Sequence, residues 1–461
     1  MPRFAAHHMS VTPTSTLQFS NTYRQIWKMA LPISFAIFIP QINFFINTIF
    51  LGHYTNDPIA LAAGGITGVY YLIFAAIGYG LNNGLQTLIA RRAGQEQRKE
   101  IGKLFTQSIW IGIGLSVLGI TLTYTLTPKI FSWMLHDPAL SQKSIEFLKI
   151  RIWGLPLLYV YQLRNALLVG INQSKWLAVG TLAEAATNVL FDYLLIFGNG
   201  GFSEMGFNGA AVASIIAEGV GLITIYSVIQ NRGIGREFSL FVEKRTDKKY
   251  IGHILSISAP LMFQTAISII SWQFFFLLIE HHGKTALSVS NVMRHLFGLP
   301  GCLTWAFAAT TSTLVSNLIG QGKSADVPLL IKRMITLSFS ITAVISIALN
   351  IWPSLFLMPF GQNEAFEAAA IPVIRVVTMA MVLMSFGTVY LNAVTGSGNT
   401  RVTFLIEAGT ILGYCIYVYL TAEYFFLPIE YVWMSEWLYW FGMFLPAWWY
   451  MRSGRWKNKE I

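Results

Sequence analysis

The sequence predicts an all-α integral membrane protein, with twelve transmembrane helices in two six-helix lobes related by a parallel internal repeat. Three observations carry that expectation. Charged residues make up only 11% of the 461 residues, against roughly 25% in soluble globular chains. The apolar set AVILMFWYC reaches 54%, and mean hydropathy is +0.55. Segments of the first half also recur, in order, in the second. A soluble body of this size needs a polar skin that the chain lacks, and disorder needs far more charge.

A helix that crosses the hydrocarbon core takes about 20 mostly apolar residues. In chain order the candidate spans are 29–52, 58–90, 104–128, 143–171, 175–198, 205–231, 254–279, 296–322, 334–363, 376–400, 402–425 and 428–451. Seven of these are free of Asp, Glu, Lys, Arg and His; the stretches at 143–171, 175–198, 205–231, 402–425 and 428–451 each embed one or a few charges. Pro32 and Pro40 in the first span, Gly64, Gly65, Gly78 and Gly80 in the second, Pro260 in the seventh, and Pro300 and Gly301 in the eighth fit close helix contact and local kinks.

The most charged hydrophilic stretch, RGIGREFSLFVEKRTDKK at 232–249, falls midway. The expected organisation is a tail at 1–25, a first lobe at 26–231, this linker at 232–249, a second lobe at 250–452 and a tail at 453–461. The opening MPRFAAHHMSVTPTSTLQFS lacks the apolar core and small-residue cleavage site of a signal peptide and reads as a short disordered cytoplasmic tail.

Lys and Arg fix the expected orientation. With both termini on one side, that side collects twenty-three of the 31 basic residues; the opposite loops hold only Lys129, Lys143 and Lys284, and the other five lie in or at helices. Such segregation marks the cytoplasmic face, so both termini are expected there. It also accounts for the formal charge of +10 without nucleic acid. Cys302 and Cys415 are too far apart to suggest a disulfide framework or a metal cluster.

The repeat is weak but ordered. MALPISF (29–35) answers ISAPLMF (257–263), and GLQTLIARRAGQ (84–95) answers TSTLVSNLIGQ (311–321). KIRIWGLP (149–156) answers VIRVVTMA (373–380), and LVGINQS (168–174) answers VTGSGNT (394–400). Gly94 to Gly320 and Gly170 to Gly396 are both steps of 226. Six crossings per half, an even number, make both halves enter the membrane in the same direction, the arrangement of parallel-repeat transporters with a cleft between the lobes.

The stretch VGINQSKW…TNVLFDYLLIFGNGGFSEMGFNGAAVASIIAE (169–218) resembles the fifth and sixth helices of the multidrug and toxic compound extrusion (MATE) family. ALP…FFINTIFLGH (30–53) and ALAAGGITGVYYLIFAAIGYG (60–80) resemble its first and second helices. The resemblance spans nearly the whole chain and is most specific from 188 to 211. It implies efflux of organic, often cationic, amphipathic compounds in exchange for Na+ or H+. The chain departs from the family at two places. Asn47 stands where many prokaryotic members have a first-helix Asp. Gln264, Ser268 and Ser271 lie where some members carry a seventh-helix acid.

Titratable groups at mid-membrane are costly and face a cavity or a partner. Glu184, Asn188 and Asp192, spaced i, i+4, i+8, share one face of the fifth helix. Three oxygen-bearing side chains suit a hard cation such as Na+, and a buried carboxylate can alternatively load a proton; an interhelical hydrogen-bond stripe is the bland alternative. Asp192 is the prime coupling-ion candidate, with Asn188, Glu184, Asn47 and Ser214 around it. Glu218, one turn from Ser214, is the weaker candidate, expected near the solvated cytoplasmic end. Arg151 and Arg375 read as structural groups at helix starts, with neutralisation of a buried acid as the alternative. Gln264 and Glu407, and the aromatic residues Tyr70, Trp272 and Tyr390, are candidates for the solute cleft, where rings hold organic cations by cation–π contact. Glu280, His281 and His282 read as an aqueous loop, because adjacent histidines lack the i, i+4 geometry of a helical zinc pair.

NLIGQGKS (317–324) ends like a phosphate-binding loop, but Asn317 occupies the place of the first glycine and no strand precedes it. Ion-gradient coupling is therefore expected, with no cofactor beyond Na+ or H+ and no metal other than a possible Na+ at Asp192 and Asn188. The expected partners are a small organic solute and membrane lipids, with no nucleic acid, and the chain is expected to be a monomer. The alternative within transport is a flippase for lipid-linked saccharides, which calls for a strongly cationic cavity. A membrane-embedded enzyme would need a nucleophile–base pair or metal ligands in one cleft, and no such spacing is visible; a receptor would not need the duplication.

Overall fold

The computed structural model describes residues 17–53, 59–135, 137–243, 245–360, 364–457, 459 and 461. Most of the expected amino-terminal tail (1–16), and Arg3 and Lys244 of the charge tally, lie outside those residues. Backbone surrounded by hydrocarbon must satisfy its N–H and C=O groups internally, which leaves the helix as the local solution for long apolar runs. Among the described residues there are helices and no strands.

Twelve long helices match the twelve expected spans. The first lobe comprises α1 (Tyr23–His53), α2 (Ala60–Gly94), α3 (Arg98–Thr125), α4, α5 (Leu177–Phe197) and α6 (Phe207–Asn231). The helix α4 is two pieces, Pro138–Arg151 and Leu155–Gly170, joined by the 3-10 turn Ile152–Gly154. The second lobe comprises α7 (Lys248–Glu280), α8 (Lys284–Gly320), α9 (Val327–Ile351), α10 (Glu364–Gly396), α11 (Thr400–Tyr419) and α12 (Ser435–Arg452). Ten of the twelve are long and apolar enough to cross a membrane by composition. The other two fall short for visible reasons: α4 carries Lys143, Glu146, Lys149, Arg151 and Arg164 and is broken at its middle, while α12 opens on Ser435–Glu436 and is rich in tryptophan.

The repeat is expressed in backbone hydrogen bonds. At the end of α2 the Gln97 N–H reaches Arg92 O (2.9 Å) and Glu96 N–H reaches Ala93 O (2.9 Å); at the end of α8, 226 residues on, Lys323 reaches Leu318 (2.9 Å) and Gly322 reaches Ile319 (3.0 Å). Both closures require a left-handed residue, Glu96 at φ 58° and Gly322 at φ 76°. The ends of α4 and α10 show the same step, with Asn172 at φ 63° and Gly398 at φ 93°. Helix neighbours repeat as well: α1–α5, α2–α4, α3–α4 and α5–α6 in one lobe; α7–α11, α8–α10, α9–α10 and α11–α12 in the other.

The lobes meet along α1, α2, α7 and α8, and small residues let the backbones touch. A Cβ on Gly94 would run into the Asn317 carbonyl, and a Cβ on Gly320 into the Arg91 carbonyl. These are one contact made twice, because Arg91 and Asn317 are themselves 226 apart. Gln86 Nε2 donates to Thr313 Oγ1 at 2.6 Å and Thr87 Oγ1 pairs with Ser312 Oγ at 3.1 Å, again mutual images under the same step.

Two buried polar hubs close the seam around the chain's described ends. Arg91, 4% exposed, donates to the carbonyls of Gly396 (3.3 Å), Ser397 (3.1 Å) and Lys459 (3.3 Å). Asn317 accepts from Phe19 N (3.0 Å) and donates to Leu17 O (2.9 Å) and Ala90 O (3.0 Å). The hydrogen bonds found between the lobes among the described residues all lie towards this one end, where Leu17 and Lys459 also sit.

A side chain at Gly94 should force this end apart. With Cys302 and Cys415 changed to Ser and a reporter Ser316→Cys in the seam, Gly94→Val should raise the rate of labelling by a water-soluble maleimide at least fivefold, since overpacking of this kind costs roughly 1–3 kcal/mol. An unchanged rate would mean that the glycine contact does not hold the lobes together.

Candidate functional site: a buried carboxylate between two helices

The helices α1 and α5 pack side by side. Residues four apart on a helix lie on the same face, so Asn43 and Asn47 of α1 look across at Asn188 and Asp192 of α5. Asn43 Nδ2 donates to Asn188 Oδ1 at 2.6 Å, and the Asn47 amide group lies 3.2 Å from the same oxygen. Asp192 is fully buried and Asn188 is 3% exposed. Asp192 Oδ1, Asn43 Oδ1 and Asn188 Nδ2 have no hydrogen-bond partner, and among the described residues no ion pair reaches Asp192.

The Asn47 amide turns its nitrogen to the acid: Nδ2 donates to Asp192 Oδ2 at 2.5 Å and to the Asn43 carbonyl at 3.3 Å. A carboxylate with one unpartnered oxygen of its own and the unpartnered Asn43 Oδ1 beside it offers hard ligands for a small cation.

The structure divides the predicted stripe. Asn188, Asp192 and Asn47 come together, whereas Glu184, one turn nearer the closed end, is half-buried and has Glu218, Arg164 and Arg151 as charged neighbours and Tyr161 beside it. Ser214 bonds back to Ala210 O of its own helix at 2.9 Å. Glu218 is not a solvated group as expected: it is 5% exposed and pairs with Arg151 through contacts of 3.2 and 2.5 Å. Arg151 sits at the break in α4, with its guanidinium 3.9 Å from the centre of the Tyr71 ring, so the neutralising alternative is the one observed there. Arg375 is exposed.

In the second lobe Gln264 donates to Glu407 Oε2, and the Tyr439 hydroxyl donates to Glu407 Oε1 at 2.9 Å. Tyr70 bonds Thr127 (2.5 Å) and Thr123 (3.1 Å), which ties α2 to α3. Trp272 lies against Phe276 and Phe297 with its indole N–H unpartnered, and Tyr390 lies against Phe444. His281 pairs with Glu423 at 2.8 Å and His282 stacks on Phe426; among the described residues no group of three His, Cys, Asp or Glu could hold a metal.

Sequence reasoning missed Asn43 and Glu436. Asn43 precedes Asn47 by four residues, so the stripe rule applied to α5 would have found it on α1. Glu436 is 3% exposed and accepts from Tyr414 (3.4 Å) and Trp440 (3.0 Å); an acid inside the span 428–451 was itself the signal.

The comparisons bear on the family and the fold. The family model MatE matches twice, over residues 32–194 and 260–420, one match per lobe. A relative from Synechocystis, named a probable multidrug resistance protein NorM, is 28% identical over 218 residues, which is 47% of this chain and 47% of that protein; the aligned stretch thus spans about half the length of that relative. Two solved structures share the fold at 18% identity, each match covering 97% of this chain and 100% of the other. One, described as the outward-facing conformation of a multidrug resistance MATE family transporter of the MOP superfamily, gives a TM-score of 0.84. The other is a MOP superfamily transporter from Pyrococcus furiosus whose description notes a binding pocket of reverse polarity, at 0.81. With both six-helix lobes matched, this multi-pass membrane protein belongs to the MatE family of transporters.

Proposed function

We propose that the chain is a secondary antiporter that exports organic, often cationic, amphipathic compounds in exchange for Na+ or H+. The single observation that supports this most is Asp192: a fully buried carboxylate with an unpartnered oxygen and, among the described residues, no ion pair. A group of that kind is expensive in a membrane lobe unless it binds and releases a small cation. Asn43, Asn47 and Asn188 complete the oxygen set. One such cation entering down 100 mV supplies about 2.3 kcal/mol, and no cofactor other than the ion is needed. The lobes at 26–231 and 250–452 tilt about their seam, with both chain ends on the cytoplasmic side and the chain acting as a monomer. A flippase for an anionic lipid-linked saccharide is the less favoured reading, since it calls for a strongly cationic cavity and, of the two arginines in α4, Arg151 is neutralised by Glu218 and Arg164 lies against the Tyr161 ring.

The test is transport in reconstituted vesicles with an imposed Na+ or H+ gradient, assayed against a panel of cationic dyes. Asp192→Asn should abolish gradient-driven dye movement while leaving thermal unfolding within a few degrees of the parent. Coupled transport retained in that variant would remove Asp192 from the mechanism, and movement of a lipid-linked saccharide but of no dye would favour the flippase.

Asn43→Ala should weaken but not abolish coupling. Loss of one neutral ligand is worth about 1–1.5 kcal/mol, so roughly a tenfold higher concentration of the driving cation should be needed for half-maximal rate. A half-saturating concentration equal to the parent's would show that α1 contributes no ligand through Asn43.

A further inference from the structure

Arg164, on the second piece of α4, stands out in the first lobe. It is 2% exposed, none of its three guanidinium nitrogens makes a hydrogen bond of ordinary length and angle, and its nearest partner is Tyr161, whose ring centre lies 4.0 Å from its central carbon and whose hydroxyl is a polar neighbour. A guanidinium keeps its charge in proteins and offers five N–H donors. A ring face meets part of that demand, but a buried cation with every donor open is tolerated only where a better partner lies close by.

The neighbouring helices show where that partner is. A Cβ on Gly180 of α5 would lie 2.8 Å from Arg164 Nη1, so this glycine is what admits the guanidinium to the face of α5. One turn along the same face stands Glu184. Gly221 of α6 leaves room for it, since a Cβ there would lie 2.9 Å from Glu184 Cβ and 3.4 Å from its Oε2. The Tyr161 hydroxyl, bonded to Thr181 Oγ1 at 2.8 Å, has both charges as neighbours. The groups facing Glu184 are Tyr161, Arg164 and Arg151 from α4, Glu218 from α6 and Tyr79 from α2. Of these cations Arg151 is already engaged by Glu218, and Arg164 is not engaged.

We infer that Arg164 is the alternate counter-ion of Glu184: it rests on the Tyr161 ring while the Glu184 carboxyl holds a small cation, H+ or Na+, and moves onto that carboxyl when the cation leaves. Glu184 is thus a second cation position of the first lobe, distinct from Asp192, and Arg164 is its positioning residue. The inference rests on the cation-coupled reading proposed above. It also links the load to the seam, because α4 ends six residues later at Gly170, where a Cβ would strike Ile89 of α2. The next residue of α2, Ala90, is the one whose carbonyl Asn317 holds across the lobes.

The experiment uses the full chain in vesicles, measuring dye transport against the concentration of the driving cation for Arg164→Gln, Glu184→Gln, the double variant and Asp192→Asn. Removing the competing positive charge should let Glu184 hold its cation more tightly. The half-maximal point should therefore fall about tenfold in Arg164→Gln, which for H+ is a midpoint about one pH unit higher. Glu184→Gln should be insensitive to the further change Arg164→Gln. An Arg164→Gln profile that superimposes on the parent's, or one that shifts equally with and without Glu184, overturns the inference. If Arg164→Gln fails to fold, the double variant should restore folding, because neither charge is then left alone; failure of both overturns it as well. Coupling retained in Asp192→Asn alongside a shifted Arg164→Gln profile would sink the Asp192 assignment and leave this one standing.

Discussion

Everything in this molecule follows from the cost of leaving a polar group unpaired in hydrocarbon. Backbone groups meet that constraint within the helices. Serine and threonine side chains inside the spans meet it by bonding the carbonyl one turn back, as Thr67, Thr106, Ser116 and Thr310 do. The side chains that cannot meet it locally gather into a few places. Gln86, Thr87, Arg91, Ser312, Ser316 and Asn317 meet in the seam; Asn43, Asn47, Asn188 and Asp192 meet between α1 and α5. Such clusters exist only when the right helices are adjacent, so they fix the packing as much as they result from it.

Apolar run length carries no information about partners, and this set what could be read from the chain alone. The spans were legible because about 20 apolar residues in a row have few other uses. The repeat was legible because close helix approach demands small residues at fixed places, and Gly94/Gly320 and Gly170/Gly396 kept them. The stripe on α5 was legible as a face, but what lay opposite was not. Asn188 and Asp192 look at α1, whereas Glu184, on the same face one turn away, looks at Tyr161 and the charges of α4 and α6. Arg151 read as a helix-start residue because nothing in its own segment shows that Glu218, 67 residues later, closes on it. Leu17 and Phe19 sit in a polar opening stretch, yet both are 3% exposed, held by an asparagine some 300 residues away.

The two lobes share a backbone plan and differ in what fills it. Under the step of 226, Asn188 corresponds to Tyr414 and Asp192 to Val418. The paired matches, which begin at Pro32 and Pro260, set α1 against α7 in a step of 228 that carries Asn47 to Phe275. Where the first lobe has an amide contact between Asn47 and Asn188, the second has a ring contact between Phe275 and Tyr414, 6.4 Å between centres. Phe275 also meets Trp433 edge-on at 4.9 Å. A place that holds amides and a carboxylate in one lobe is therefore packed with rings in the other.

The same divergence acts at the seam, and there it gives the closed end its character. Arg91 and Asn317 occupy one position of the repeat, and each lends its carbonyl to the glycine of the opposite lobe. Their side chains do different work. Asn317, with a donor and an acceptor, brackets a strip of backbone by taking the Phe19 N–H and giving to the Leu17 carbonyl. Arg91, with donors only, collects carbonyls from the end of α10 and from Lys459. A symmetric pair of arginines would set two like charges in one buried junction, and a symmetric pair of asparagines could not draw the α10 carbonyls together. One of each lets a single junction bind Leu17, Phe19 and Lys459 with one buried charge among the described residues. Opening at this end must then break a charge-assisted cluster on one side of the pseudo-axis and a neutral amide clamp on the other. Among the described residues no carboxylate pairs with the guanidinium, so water entering the seam would stabilise Arg91 as the carbonyls depart. The strength of the closed end is therefore set by how well the glycine contacts keep water out.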